Sequence, residues 1–354
     1  MIKRWALVGW LVVLLGVATG VVAPAHAQDS PTVIRVATPG VGIGNRPVVG
    51  GSAWAVVHLK GLLEEEFKAD GIRVEWNFLR GAGPAVNELY ANGLADFASY
   101  GDLPSIVGRA SGLETRILAG GGRSNLVIAV PADSAIQKVE DLKGKKFAVF
   151  KGTCLQLAAA RIFEKYGLSE REVRAINMDQ ATSRAALATH DVDAVIGMSD
   201  LFSLRDQGLA RVIYLSKGDA SVTCNGTLTG SASFIQKYPA HTKRVVKVYV
   251  AASKWLADRQ ADSAEAFQLW TRSGVRFSDF KEDWQGDAFK ERASPLLDAY
   301  VISRYGRAIA DAKRYGLIRN TFAFDPWTDR RFLDEVLKEQ GLQNFWPSQP
   351  AIAP

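Results

Sequence analysis

Metal-binding and nucleophilic side chains are scarce in this sequence. Its 354 residues include two cysteines, Cys154 and Cys224, and four histidines, of which only His58, His190 and His241 lie beyond an N-terminal apolar stretch. None stands at a spacing that metal ligation uses. There is no G-x-S-x-G elbow, P-loop or H-E-x-x-H, and no C-x-P-x-R of the kind a formylglycine sulfatase needs. These absences close the usual routes to hydrolase, nucleotide and metalloenzyme chemistry. We therefore expect no catalytic residues, no metal and no cofactor. The stretch 40–47, GVGIGNRP, follows a strand pattern, but its glycines do not complete a dinucleotide loop.

An excess of one charge is also missing. Lysine and arginine number 43 against 37 aspartates and glutamates, with no basic block. That balance suits a small anionic ligand and gives no footing for nucleic acid, which wants a clustered stripe. Long apolar runs are limited to one, Trp5 to Val22, preceded by Lys3 and Arg4 and followed by Ala25-His26-Ala27. This pattern predicts a cleavable signal peptide over 1–27, cut near Ala27-Gln28, and export to the periplasm; the rival reading is a retained anchor. No cysteine stands at the cleavage position, which argues against a lipoprotein. Removing 27 residues leaves 327, more than one ordinary core holds, so two domains are expected.

What is present alternates between strand and helix. Segments 33–38, 73–79 and 95–102 read as strands, with helices over 52–67 and from the turn at 80–84 through Leu89. A second set follows: strands at 125–131, 145–150, 191–198 and 211–215, and a helix over 153–167. The stretch 221–235 is extended, and beyond Pro239 the pattern turns amphipathic-helical at 243–258, 263–273 and 329–340. This order predicts an α/β protein with two mostly parallel sheets and a helical C-terminal third. After Trp346 a loose tail is expected, 346–354. In an oxidising compartment Cys154 and Cys224 would close a loop worth about 4 kcal/mol by chain entropy; the alternative is two unrelated buried thiols.

Three turns share one design. RGAGP (80–84), GDLP (101–104) and FKGTC (150–154) each follow a strand and open a helix. Such helix starts leave N–H groups bare at the positive end of the helix dipole, where an oxyanion is held without full charge neutralisation. Trp54 and Tyr100 are available to cover an apolar ligand tail, or to serve as core.

In this order the segments are familiar. GLLEEEF, VEWNFLRGAGPAVNEL, LADFASYGDLPSIVGRASG, VPADSAIQKVEDLKGKKFAVFKGT, SRAALATHDVDAV and FIQKYPA together resemble the periplasmic substrate-binding proteins of bacterial ABC importers. The branch is that for sulfonates, sulfate esters, taurine and nitrate, and the likeness runs from about residue 33 to 345. The resemblance implies a type II two-lobed fold with two crossover strands. Lobe 1 would comprise 28–125 plus 230–345, and lobe 2 126–229. It also implies ligand between the lobes, held by Gly51, Ser52 and Ala53, by Ala82, Gly83 and Pro84, and by Gly101 and Asp102. From the second lobe would come Lys151, Gly152, Thr153, Cys154, Gln180, Thr182, Met198, Ser199 and Asp200. Cys224, Asn225 and Gly226 of a crossover complete the ring. The implied role is capture of an organic sulfonate or sulfate ester by a monomeric binder that delivers it to an inner-membrane permease. Alternatives within the fold are nitrate, bicarbonate or a neutral heterocycle resembling a thiamine precursor; outside it, an exported sulfur-ester enzyme. Two departures stand out. Relatives carry Trp-Asp-Pro where this chain has Met198-Ser199-Asp200, which weakens any amine-reading role there. Both cysteines fall where relatives place polar residues, which would bring the two thiols close across the cleft floor.

Overall fold

The computed structural model describes residues 30–352. The signal peptide and its cleavage point lie outside the described residues. From Pro31 onward the chain forms one compact unit containing two five-stranded sheets. The strands of the first are β1 (Val33–Pro39), β2 (Arg73–Leu79), β3 (Phe97–Gly101), β4 (Thr115–Ser124) and β10 (Cys224–Ser231). Those of the second are β5 (Val127–Pro131), β6 (Lys146–Val149), β7 (Arg174–Asn177), β8 (Ala194–Gly197) and β9 (Ala210–Leu215). The orders are β2-β1-β3-β10-β4 and β7-β6-β8-β5-β9. In each sheet the first three strands are parallel and the fourth runs against its neighbours. The chain crosses between the sheets twice, from β4 into β5 and from β9 into β10.

Helices fill the connections. The first sheet carries α1 (Ala53–Leu59), α2 (Leu62–Phe67), α3 (Ala82–Ala91) and α4 (Asp102–Ala110); the second carries α5 (Cys154–Lys165), α6 (Gln180–Ala188) and α7 (Phe202–Asp206). The stretch 52–67, read as one helix, is two, because Lys60-Gly61 interrupts it with Gly61 in the left-handed region at φ 64°. After β10 come α8 (Ala232–Lys237), α9 (Pro239–Ala257), α10 (Ala264–Trp270), α11 (Phe277–Trp284), α12 (Phe289–Arg292), α13 (Ala299–Arg314) and α14 (Arg331–Glu339). Four of these, α8, α11, α12 and α13, are absent from the sequence reading, and α8 begins within the stretch 221–235 expected to be extended.

The C-terminal helices build most of the larger core. α9 lies against α1, α2 and α14, and Trp54, Trp270, Trp284, Trp327 and Trp346 sit in one apolar cluster with Ile34, Phe97 and Tyr249. The second sheet is lined by two smaller clusters, one around Phe147 and Phe163 and the other around Val127, Val195 and Phe202. Helix α13 spans the gap between the two halves, touching both α4 and α5. There Arg161 of α5 donates to Asp311 at 2.8 Å, with both side chains almost wholly buried.

The end of the chain differs from expectation. Rather than trailing loosely, it is tied down: Gln349 donates its backbone N–H to Asp298 at 2.8 Å and accepts from Tyr300 N–H. Ile352 donates to Ser303 Oγ at 3.0 Å. These bonds satisfy backbone groups next to the α13 N-terminus, which Asp298 also caps.

Candidate ligand-binding site

The three anion-type turns sit at the carboxyl ends of parallel strands, where open α/β sheets expose helix starts. The fold brings them together. A Cβ built on Gly83 would lie 2.3 Å from Pro104, so the 80–84 turn rests directly on the 101–104 turn. One on Gly101 would come 3.1 Å from Cys154 Cβ, and one on Gly152 2.9 Å from Pro84. Turns from both sheets are thus in mutual contact, and only glycine leaves room there for the Pro104, Cys154 and Pro84 side chains. Ala82, at φ 50°, adopts a left-handed conformation that costs an alanine roughly 1 kcal/mol.

Backbone donors in the 150–154 turn are partly spoken for. Lys151 N–H donates to Asn177 Oδ1 at 2.9 Å, and Gly152 N–H to Gln156 Oε1 at 2.8 Å. Thr153 caps α5, accepting from Leu155 N–H at 3.3 Å while donating to the Phe150 carbonyl at 2.7 Å. Among the described residues the N–H groups of Thr153 and Cys154 make no hydrogen bond, so within this turn the open donors narrow to these two. Cys154 is joined to Cys224 in a disulfide, which fastens the first turn of α5 to crossover strand β10.

Other expected site residues divide by environment. Ser52 caps α1, accepting from Ala55 N–H at 3.1 Å, and Gly51 sits 3.5 Å from Phe280 by its notional Cβ. Ala53 is buried in the larger core. The Asp102 carboxylate is 1% exposed and turned inward, where it accepts from Leu103 N–H at 2.8 Å. Burial pushes its pKa up, against the pull of Arg161 and Arg304. Thr182 is exposed, its hydroxyl held by the α6 cap Asp179 at 3.0 Å. The hydrogen bonds that Asp179 accepts, first from Thr182 N–H, pull its pKa down, and Arg80 of the 80–84 turn adds to that across the gap. Met198 packs against the core of the second sheet. Asp200 lies 3.6 Å from Arg184, and burial raises its pKa more than Arg184 lowers it. Asn225 is 5% exposed and fully engaged, donating to Thr223 O at 3.1 Å and accepting from Tyr300 at 3.0 Å. Trp54 and Tyr100 are both core, at 2% and 3% exposure.

Two polar groups the sequence reading passed over stand near these loops. Thr38, at the carboxyl end of β1, is 2% exposed with an unpartnered Oγ1, and Arg184 has a buried Nε without a hydrogen-bond partner. A threonine closing a strand just before Pro39-Gly40 was the only sequence signal available for the first. The histidines are dispersed: His58 lies edge-on to Trp76 and Phe78, His190 is 3.7 Å from Asp133, and His241 stacks on Phe67. Among the described residues no group of three or more His, Cys, Asp or Glu is placed to hold a metal.

The model of the family described as NMT1/THI5-like matches residues 66–263, more than half of the chain. The chain belongs to the NMT1/THI5-like family. Over 210 residues it is 28% identical to a protein of Bacillus subtilis strain 168 named as an aliphatic sulfonates-binding protein; the match covers 59% of this chain. It spans just under two thirds, 63%, of that relative's length. Among solved structures, a periplasmic sulfonate-binding protein of a sulfonate ABC transporter from Methylobacillus flagellatus superposes with a TM-score of 0.78 at 28% identity. That superposition covers 92% of this chain and 99% of the other. The fold of this family member is thus that of periplasmic binding proteins. It is shared with an enzyme: the desulfurization enzyme DSZB superposes at 0.64 with 19% identity, covering 87% and 99% of the two chains. Fold alone therefore does not separate binding from catalysis in this group.

Proposed function

We propose that this chain is the periplasmic solute-binding component of an ABC importer, taking an organic sulfonate or sulfate ester between two lobes. The lobes would be 28–125 plus 230–345 and 126–229, with 1–27 removed on export. The observation that carries this reading is the meeting of the 80–84, 101–104 and 150–154 turns, two from one sheet and one from the other. The likeness to proteins named for sulfonate binding supplies the ligand class. The sulfonate head would lie at the start of α5, accepting from Thr153 and Cys154 N–H, with the α5 dipole supplying partial positive charge. Thr38 Oγ1 is a further donor of suitable type. Inward-turned Asp102 keeps its carboxylate away from the anion. Hinge motion of the lobes about the two crossovers would admit and release ligand, and a monomer would deliver it to an inner-membrane permease. No proton transfer is required of any residue, so the protein would bind without turning over its ligand.

Calorimetry against a panel of alkyl and aryl sulfonates, sulfate esters and nitrate tests this. At least one organic sulfonate or sulfate ester should bind near micromolar affinity, about −8 kcal/mol, with no product formed on incubation. A flat panel, or binding confined to nitrate, overturns the ligand assignment.

A further inference from the structure

A polar cavity lies beside the crossover strands, and one of its walls, Asn225-Gly226, adjoins the 101–104 turn, Gly226 pairing with Gly101. It is bounded by the end of β4 (Gly122, Arg123), the start of β10 (Asn225), α13 (Tyr300, Arg304) and Gln349 of the C-terminal segment. Its volume is about 20 Å³, enough for a single atom-sized occupant. Arg304 is 0% exposed. Its Nη2 donates to the Thr223 carbonyl at 2.7 Å, while Nε and Nη1 have no partner. No carboxylate lies within ion-pair distance of it among the described residues. Arg161 on neighbouring α5 has its charge answered by Asp311 at 2.8 Å, but its buried Nη2 is likewise without a partner. At the mouth, Arg123 is half-buried and engages Gln349 Oε1 at 3.1 Å through one nitrogen only. The third arginine lining the cavity, Arg292, is already neutralised by Asp283 and Asp287. Glu291 reaches the same rim but is exposed to solvent.

Burying a guanidinium with N–H groups unanswered is expensive, and proteins answer such groups with an acceptor. Here Asn225 Oδ1 is already taken by Tyr300, and the Tyr305 hydroxyl is directed to Thr227 at 3.2 Å. The buried Asp102 carboxylate acts on Arg304 by its charge but makes no ion pair with it, so the open N–H groups are left for an acceptor from outside the chain. Burial pulls the Arg304 pKa down to about 10, with Arg161 acting in the same direction and Asp102 against it; it remains a cation at neutral pH.

We propose that this cavity binds one small inorganic anion of halide size, held by Arg304 from α13 and Arg123 from β4. The volume favours a halide over a tetrahedral oxyanion. Such an ion would link the C-terminal segment, α13 and both crossover strands at the pivot of the two sheets.

The test uses the full mature protein with bromide as probe. Crystals grown in bromide should show an anomalous peak within hydrogen-bond distance of Arg304. In solution, raising bromide from about 10 to about 300 mM, at constant ionic strength made up with a bulky organic anion, should raise the unfolding midpoint by roughly 2 °C or more. Arg304→Gln should abolish both signals. Because that variant replaces a buried side chain and can fail to fold, Arg123→Gln at the half-buried mouth provides the second arm, with lower occupancy and a flattened bromide response. A cavity holding only water, or a bromide response that Arg123→Gln leaves unchanged, overturns the proposal.

Discussion

The two sheets share one strand order, with a reversed strand in fourth place, yet they are stabilised differently. All seven tryptophans among the described residues belong to the first sheet's core: five buried in it, with Trp76 and Trp255 packed against it. The second sheet's clusters contain none and rely on phenylalanine, isoleucine, leucine and valine. The cause is connectivity. After β10 returns to the first sheet, most of the C-terminal third folds onto that side, adding α9, α10 and α14 to its core. Apart from the flanks of α11 and α13 that touch it, the second sheet has only the helices between its own strands. It is compensated by fastenings to its neighbour: the Cys154–Cys224 disulfide, the Arg161–Asp311 pair and the contacts of Arg314 with Glu164. The larger core stands by burial, and the smaller one leans on cross-links.

Breaking the larger core should cost most. Trp327 is fully buried, donates Nε1 to Thr115 Oγ1 at 3.2 Å, and packs among Tyr305, Phe322 and Phe324. Trp327→Ala is expected to lose about 4–5 kcal/mol in urea unfolding. Tryptophan fluorescence will follow this core selectively, whereas circular dichroism follows both sheets. Phe147→Ala, in the second core, should lower the dichroism transition by about 3–4 kcal/mol while changing native fluorescence little. Equal fluorescence changes in the two variants would contradict the division.

The cross-links come next. Reducing the disulfide reopens a loop with a sequence separation of 70, worth up to about 4 kcal/mol by chain entropy. If the second half leans on this link, mild reductant should lower the dichroism midpoint and weaken ligand together, because Cys154 also opens α5. Reduction that leaves both unchanged would remove the disulfide from the account. Asp311→Asn should cost about 3 kcal/mol, since it leaves buried Arg161 without its counter-charge. Burial opposes ionisation of Asp311, but hydrogen bonds from Arg314 and Arg161 win, and its pKa is lowered. A depressed folded pKa contributes stability above the unfolded value of about 3.9, lost as pH falls through the folded one. The wild type should therefore lose stability on acidification below about pH 4 more steeply than Asp311→Asn.

The sequence reveals the two halves unequally, for the same reason. Strands β1, β2 and β6 announce themselves through apolar patterning, and the anion-type turns through Gly, Pro and Thr at helix starts. Helix α13 does not, because its buried face carries Arg304 and Asp311 beside Tyr300, Tyr305, Ala308 and Ile309. Charges on an inward face interrupt the apolar period that betrays a helix, here without removing it, since Tyr300, Tyr305, Ala308, Ile309 and Ala312 still share that face. The same residues form the junction between the halves, so the part of the molecule hardest to read is the part that joins them. At the site, glycine spacing shows where backbones open, but not that Asn177 and Gln156 occupy two of the donors. Nor does it show that Asn225 faces α13. Those depend on partners at long range.

The smallest effect separates the two helix starts. Ser52 caps α1 through one bond, to Ala55 N–H, whereas Thr153 both caps α5 and donates to Phe150 O. Ser52→Ala is expected to cost about 0.5–1 kcal/mol and Thr153→Ala about 1–2 kcal/mol. Ligand affinity should divide them further. Losing the Thr153 cap frees the first turn of α5, where the proposed anion contacts lie, so sulfonate affinity should fall about tenfold in that variant. It should fall less than twofold in Ser52→Ala, in keeping with the roughly 1.4 kcal/mol that a tenfold change represents. Calorimetry on the two proteins decides it: equal losses would move the anion grip from the start of α5 to a position shared by both sheets.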